Sequence, residues 1–387
     1  MKMDTEQDEA APPLPPLFGD ILELTLAHVP LADLVSASRV SRSWERAVSS
    51  SLLHLNPVKP WLLVHSQSGR PPYPISTRAF DPRSAVWLDI SLPQPAKHAS
   101  TLRSSSSSSS SSHSNLLFIL SPSKLSFSSD PLHLTWRHVA PPLVWHADPI
   151  VALVGHRLVV AGGALDFDDD PLALETYDLR ADAWDACGSA MPALLKDRSA
   201  SAWLSVAADE EKMYVTEKLS GVTHCYDPEA DAWHGPHDLR PHRDVYCCTI
   251  GCASGRLILV GLLGSEENVK GVRAWEVERG TWRAREIGEM PPEMVRKMKG
   301  GRFCASSVSV CCAGDFVYLT RDSDPGTAVW FEVGRDGDCR WGRAESPAAT
   351  GGWGQAERVV FTCANVGMSE LNRALASSDP RDVIRSA

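Results

Sequence analysis

Residues 148–184 read DPIVALVGHRLVVAGGALDFDDDPLALETYDLRADAW, and this pattern decides the fold. An apolar run at Ile150–Val154 meets a turn at Gly155, and a second run over residues 158–161 stops at Gly162-Gly163. A polar loop leads to residues 175–179, then to a turn at Ala181-Asp182 and a last run from Trp184. Short runs of apolar and β-branched residues bounded by turn formers predict strands, so the stretch predicts a four-stranded antiparallel meander.

The same order recurs along the chain. It reads 202–206, 213–216, 224–227 and Trp233, then 246–250, 257–260, 272–277 and Trp282, then 308–312, 316–319, 329–333 and Trp341. Six tryptophans, Trp87, Trp136, Trp184, Trp233, Trp282 and Trp341, follow one another at gaps of 49, 48, 49, 49 and 59 residues. Seven positions before four of them stands another aromatic, Phe80, Tyr177, Tyr226 or Trp275, each followed by Asp or Glu. A period of this length marks stacked supersecondary units. Each sheet is too small to bury both faces alone, so the units must pack radially as a β-propeller.

Only three strands are predicted around Trp61, Phe80 and Trp87, so the first blade lacks one. Residues 358–365 (RVVFTCAN) form a strand with no blade of its own and are expected to pair beside Trp61–His65, closing a ring of six blades. The second blade is irregular, with nine consecutive serines at 104–112 and a Phe127–Trp136 spacing of 9. Such a tract buries too little apolar area to offset its ordering entropy, so residues 92–115 are expected to be a flexible insertion.

Composition narrows the function classes. A net charge of −10 argues against nucleic acid or an anionic membrane as partner, and no apolar stretch approaches the roughly 20 residues that span a bilayer. The first 11 residues are acidic where a signal peptide is basic and then apolar, so the expected location is cytoplasmic, nuclear or both. The ten cysteines show no paired CxxC set of metal spacing. Cys247-Cys248 and Cys311-Cys312 lie in strand runs, so neighbouring thiols are expected to point to opposite faces as small buried hydrophobes. No metal, cofactor or catalytic residue is expected.

Ahead of the propeller the periodicity becomes helical. Asp20 is placed to cap a first helix with Glu23 reaching back to it, and Leu17, Ile21, Leu24 and His28 follow helical spacing. Pro30 breaks this helix, Leu31, Leu34 and Val35 mark a second, and Val40, Trp44, Ala47 and Val48 mark a third. Three short helices make a marginal core and are expected to leave apolar surface for a partner.

The diglycine Gly162-Gly163, the aromatic-acidic pairs and the repeat tryptophans resemble the kelch repeat over residues 57–371, although the diglycine is replaced at Glu217-Lys218 and Arg321-Asp322. The helical segment resembles an F-box over residues 13–55, in which Leu17, Asp20, Ile21, Leu22, Leu26, Pro30, Leu31, Leu34, Val40, Arg42 and Trp44 fit the family's pattern. Phe18 stands where that family usually has Pro, and Ser41 where it usually has Cys. The two resemblances imply a small trihelical F-box followed by a six-bladed kelch-type propeller, between a disordered acidic tail at 1–12 and a disordered tail at 372–387.

The combination resembles plant F-box/kelch-repeat proteins, substrate receptors of SCF-type cullin-RING ubiquitin ligases. It implies that the F-box docks a Skp-type adaptor, and through it cullin and RING subunits, by Leu17, Ile21, Leu22, Leu26, Pro30, Leu31, Leu34, Val40 and Trp44, with Leu22, Pro30, Leu31 and Leu34 as the docking surface. It implies that the propeller holds a protein target for proteasomal degradation, such as a phenylpropanoid or flavonoid biosynthetic enzyme of the chalcone synthase class. The alternative is an interaction scaffold not assembled into a ligase.

In a meander the loops from second to third strand and from blade to blade leave on one face. That face collects Trp145, Asp168, Asp169, His242, Arg243, Glu267, Met294 and Met298, the last two on one side of a short helix, and these are the candidate target contacts. Copper radical oxidases also use a kelch-like propeller, but their Tyr, His and Cys ligands must converge, and the tyrosines here are mostly in strands or on the repeat register.

Overall fold

The computed structural model describes residues 19–68, 75–90, 116–128, 132, 136–144, 146, 148–163, 174–196, 200–298, 304–321, 324, 326–334, 337–345, 356–376 and 384–386. The expected acidic tail at 1–12 and the serine-rich insertion at 92–115 lie outside these residues. The chain divides into two compact units, 1–58 and 59–387.

The first unit is three helices, α1 (Gly19–Leu26), α2 (Leu31–Ser38) and α3 (Arg42–Ser50), followed by a π-helical turn at Ser51–Leu55. Its core is Leu22, Leu26, Ala27, Leu31, Leu34, Val35, Ala47 and Val48, all buried. The Pro30 carbonyl accepts the first α2 amides, from Asp33 and Leu34, at 3.0 and 3.1 Å. Ser41 caps α3 by accepting the Trp44 amide at 3.3 Å, so serine in place of the usual cysteine supplies an N-cap. The expected capping box at Asp20 does not form. Asp20 lies inside the first turn of α1, and Glu23 accepts a hydrogen bond from Ser50 of α3 at 2.8 Å, which joins two helices instead of closing one end.

The second unit is the six-bladed propeller, its blades resolved as six sheets among the described residues. Blade 1 holds β1 (Trp61–Ser68), β2 (Ile75–Asp81) and β3 (Val86–Ile90), and blade 2 holds β4 (Leu117–Ser121), β5 (Lys124–Ser128) and β6 (Arg137–Val139). Blade 3 holds β7 (Ile150–Val154), β8 (Arg157–Ala161), β9 (Leu174–Asp178) and β10 (Ala183–Ala186). Blade 4 holds β11 (Leu204–Ala208), β12 (Met213–Glu217), β13 (Val222–Asp227) and β14 (Ala232–Asp238), preceded by the short helices α4 (Ala193–Lys196) and α5 (Ala200–Trp203). Blade 5 holds β15 (Val245–Ala253), β16 (Arg256–Ser265), β17 (Asn268–Val277) and β18 (Ala284–Glu289). After α6 (Pro292–Met298), blade 6 holds β19 (Val308–Ala313), β20 (Phe316–Arg321), β21 (Thr327–Val333) and β22 (Cys339–Glu345).

Closure follows the expectation. β23 (Ala356–Ala364) pairs antiparallel with β1, with Trp61 opposite Ala364 and His65 opposite Val360. The Tyr318 hydroxyl of blade 6 donates to the Pro60 carbonyl at 2.6 Å across the same seam. Of the expected disordered tail at 372–387, the described residues 372–376 and 384–386 lie in regular elements. α7 (Met368–Ala376) is followed by β24 (Ile384–Ser386), which pairs antiparallel with β3 and makes blade 1 a five-stranded sheet. The polar composition of this segment hid a strand held by backbone bonds to an existing edge.

The seven-residue aromatic spacing is a hairpin register. Phe80 faces Trp87, Tyr177 faces Trp184 and Tyr226 faces Trp233 as direct cross-strand partners, with ring centroids 5.4, 5.2 and 5.1 Å apart. The acidic residue after the first aromatic shapes the turn. Asp178 Oδ1 accepts the amides of Arg180 and Ala181 at 2.7 and 2.9 Å, and Asp227 Oδ1 accepts those of Glu229 and Ala230 at 3.0 and 3.1 Å. A second aspartate, Asp182 or Asp231, takes the positive-φ position and accepts the tyrosine hydroxyl. Each aromatic pair packs toward the preceding blade: Phe80 and Trp87 on blade 6, Tyr177 and Trp184 on blade 2, Tyr226 and Trp233 on blade 3.

Blade 5 breaks this register. Trp275 faces Glu286, and the position seven apart across the hairpin is held by Val277 and Ala284. Trp282 therefore sits two residues early, at φ +58 in the turn where Asp182 and Asp231 sit in the other blades. Its ring stacks on His237 of blade 4, centroids 3.8 Å apart and planes at 13°. The seven-residue spacing here is a coincidence of numbering, and a different contact has taken over the wedge. In blade 2, Phe127 faces Phe118 and Arg137 rather than Trp136.

The double cysteines point to opposite faces, as alternation requires. Cys247 packs between blades 5 and 6 and Cys248 between blades 4 and 5, while Cys311 packs toward blade 1 and Cys312 toward blade 5. Burial pushes the Cys247 and Cys248 thiols up to about 12, so they are protonated at neutral pH and poor nucleophiles.

Candidate functional site

In the helical unit the expected adaptor contacts divide between solvent and core. Leu22, Leu26, Leu31 and Leu34 are buried in the unit's own core, and Pro30 and Trp44 are half-buried. Periodicity places residues on one face of a helix but leaves open whether that face turns inward or outward. Ile21 and Val40 are each 62% exposed and Leu24 is 54% exposed, joined by Leu53, Leu55 and Val58 in and after the π-helical turn. A unit this small leaving six large apolar side chains in water has the composition of a contact surface. Leu17 lies outside the described residues.

In the propeller, the blade-to-blade connections and the turns from second to third strand share one face by strand alternation. This face is braced by buried polar groups. Lys218, standing where blade 3 has Gly163, donates from Nζ to the Val308 carbonyl of blade 6 at 3.0 Å, and its own carbonyl accepts the Cys248 amide of blade 5 at 2.7 Å. One residue thus ties three blades. Arg321, at the other replaced diglycine, is buried and bonds to Asp324 at 3.1 Å. Where the glycines remain the reason is steric: Gly163 has φ +70, and a Cβ there would lie 2.7 Å from the Asp148 backbone.

Other braces hold the connections. Glu175 accepts the Leu143 and Val144 amides at 2.6 and 2.8 Å and lies 3.5 Å from His146 Nε2, while His146 Nδ1 donates to the Gly162 carbonyl. Burial works to raise the Glu175 carboxyl, but the nearby His146 ring and the bonds from the Val144 and Leu143 amides prevail and hold it below the usual range. Glu266 accepts the Ala305 amide at 3.2 Å and faces the Cys304 thiol at 3.6 Å, and α5 meets the 3-10 turn at Ala305–Ser307.

The candidate target contacts divide. His242, Arg243 and Glu267 are exposed on this face, and His242 lies 3.5 Å from Asp244. Met294 is partly buried against the core between blades 5 and 6, beside buried Val295. Among the described side chains of α6, Glu293, Arg296 and Lys297 face solvent, so charge is exposed where Met294 was expected to be. The Met298 side chain, Trp145, Asp168 and Asp169 lie outside the described residues. Sequence reading missed Lys218, Glu175 and Glu266 because each braces a loop of another blade. The one signal was a charged residue at a diglycine position. Among the described residues no group of three His, Cys, Asp or Glu side chains is arranged to hold a metal ion.

The F-box domain family matches residues 17–56. The F-box/kelch-repeat protein At1g23390 of Arabidopsis thaliana is 41% identical over 375 residues, covering 93% of this chain and 92% of that one. The solved structure of YjhT is 14% identical, covering 54% of this chain and 67% of that chain at a TM-score of 0.37. With helices where the F-box matches, six blades following them in the sequence, and a relative alike over almost its whole length, the chain belongs to the F-box/kelch-repeat proteins.

Proposed function

We propose that this chain is the substrate receptor of an SCF-type ubiquitin ligase, its F-box docking a Skp-type adaptor and its propeller holding a protein target. The observation that carries the reading is an F-box joined in one chain to a kelch-type propeller, supported by the F-box/kelch relative. In this reading the chain performs no bond chemistry. It converts an encounter between target and ubiquitin-conjugating enzyme into an effectively intramolecular one.

The adaptor surface in this proposal is Ile21, Leu24 and Val40 with the edges of Pro30 and Trp44, supported on the buried leucines. The target surface is the braced loop face with His242, Arg243, Glu267 and the charged side of α6. The resemblance suggests a phenylpropanoid or flavonoid enzyme such as chalcone synthase as target, and the acidic first residues support the cytoplasm or nucleus as the place of action.

The test is co-purification of a Skp-type adaptor with the wild type and with Ile21→Asp/Val40→Asp. Loss of adaptor from the folded variant supports the receptor. Equal recovery from both, or none from the wild type, leaves the scaffold reading. Capture on the propeller with the proteasome blocked then asks whether a biosynthetic enzyme of the named class accumulates.

A further inference from the structure

The C-terminal segment lies on both edges of one sheet. β23 occupies the inner edge of blade 1 and β24 its outer edge, in the order β23-β1-β2-β3-β24. Between them the chain crosses four strand spacings, about 19 Å. Blade 1 is the one five-stranded sheet among the described residues.

The strand that β24 covers has the sequence of an interior strand. β3 reads VWLDI, and with β24 in place Trp87, Leu88 and Ile90 are buried. The fourth strands of blades 4, 5 and 6 read AWHGPHD, AREIGE and CRWGRAE, with only one buried residue in each of β18 and β22 and none in β14. Those strands carry the charges, glycine and proline that blunt a sheet edge. β3 carries a single charge, Asp89, and Arg78 of β2 neutralises it at 2.7 Å. An apolar edge without blunting residues is a template for a further strand, and in this chain Ile384, Arg385 and Ser386 stand opposite Ile90, Asp89 and Leu88.

We infer that the outer edge of blade 1 is a strand-acceptor site, and that the chain's own C-terminal strand fills it in cis. Affinity comes from main-chain hydrogen bonds along β3, so the site takes an extended peptide by strand addition. With β24 in place the site is closed. With β24 removed, a strand of the same sequence enters from solution.

The first experiment uses the full chain and a chain ending at Ala376, each titrated with a fluorescent peptide of residues 380–387. The expected result is saturable binding to the shortened chain and at least ~10-fold weaker binding to the full chain, where the cis strand competes at high effective concentration. A folded shortened chain that ignores the peptide, or equal binding to both chains, overturns the inference.

A second measurement stands if the shortened chain does not fold. In the full chain, Ile384→Pro and Arg385→Pro each remove one amide, and along a strand alternate amides face the neighbour, so one of the two breaks a bond to β3 and the other does not. Amide exchange at residues 86–90 is expected to rise on the order of 10-fold in one variant and to stay near wild type in the other. No rise in either variant overturns the inference.

Discussion

His65 Nε2 lies 3.0 Å from Thr362 Oγ1, and its Nδ1 lies 2.9 Å from Thr77 Oγ1. A residue from the first strand of the propeller is thereby bonded to one 297 positions later, inside the sheet that closes the ring. The imidazole is fully enclosed, and burial lowers its pKa from 6.5 to about 3.

Acid should weaken this seam. The folded pKa lies below the unfolded one, so the unfolded chain binds the proton more readily; the stabilisation is complete above pH 6.5 and is lost progressively as pH falls toward 3. Within that window the slope is at most about 1.4 kcal/mol per pH unit from this one group. His65→Gln keeps a donor and an acceptor for the two threonines without a titrating group, so its melting temperature should fall less between pH 6.5 and 4.5 than that of the wild type. Identical pH slopes would show that His65 is not the sensor.

A chain ending before Val359 loses β23 and should melt at a much lower temperature in one transition, because β1 then has an open edge and His65 loses Thr362. An unchanged melting temperature would contradict closure by this strand.

Trp87 and Trp282 should differ in what they contribute. Trp87 is buried at 3% exposure in the wedge against blade 6, and Trp87→Ala should cost about 3–5 kcal/mol in denaturant unfolding. Trp282 is half-buried and stacks on His237, so Trp282→Ala should cost less, and its coupling to His237→Ala in a double-mutant cycle should be about 0.5–1.5 kcal/mol. Equal costs for the two tryptophans would place Trp282 back in the repeat wedge.

Gly163→Ala and Gly255→Ala test backbone conformation against space. Both glycines have positive φ, +70 and +74, but a Cβ at Gly163 meets the Asp148 backbone at 2.7 Å while none lies within 4 Å at Gly255. Gly255→Ala should cost about 1–2 kcal/mol from conformation alone. Gly163→Ala should cost clearly more by the same unfolding measurement, and an equal cost would mean that the Asp148-Pro149 segment yields freely.

Within the F-box, Leu31→Asp and Ile21→Asp should fail in different ways. A carboxylate at fully buried Leu31 should unfold the helical unit, whereas Ile21→Asp should leave its circular dichroism unchanged and act only on adaptor binding. Loss of helicity in Ile21→Asp would show that Ile21 supports the core.

Much of this was legible in the residues. The strand order of blade 3, the role of Trp184 and Trp233 as wedge fillers, the opposite facing of Cys247 and Cys248, and the return of the chain to pair with β1 all follow from alternation and from counting strands. The candidate site was less legible. Leu22, Leu31 and Leu34 share the family pattern with Ile21 and Val40, and only packing separates the inward group from the outward one. Met294 looked like a contact and is mostly spent on the core, while Lys218 looked like a lost glycine and ties three blades.

The sequence by itself determined the repeat, the hairpins, the number of blades and the helical module, because turn formers and the two-residue strand period act within one unit. The tertiary structure decided which aromatic fills each wedge, which leucines face water, and that β23 and β24 take opposite edges of blade 1. Those outcomes depend on neighbours tens to hundreds of residues away. Burial and strand pairing are properties of the surface that arrives, and a local pattern does not carry that surface with it.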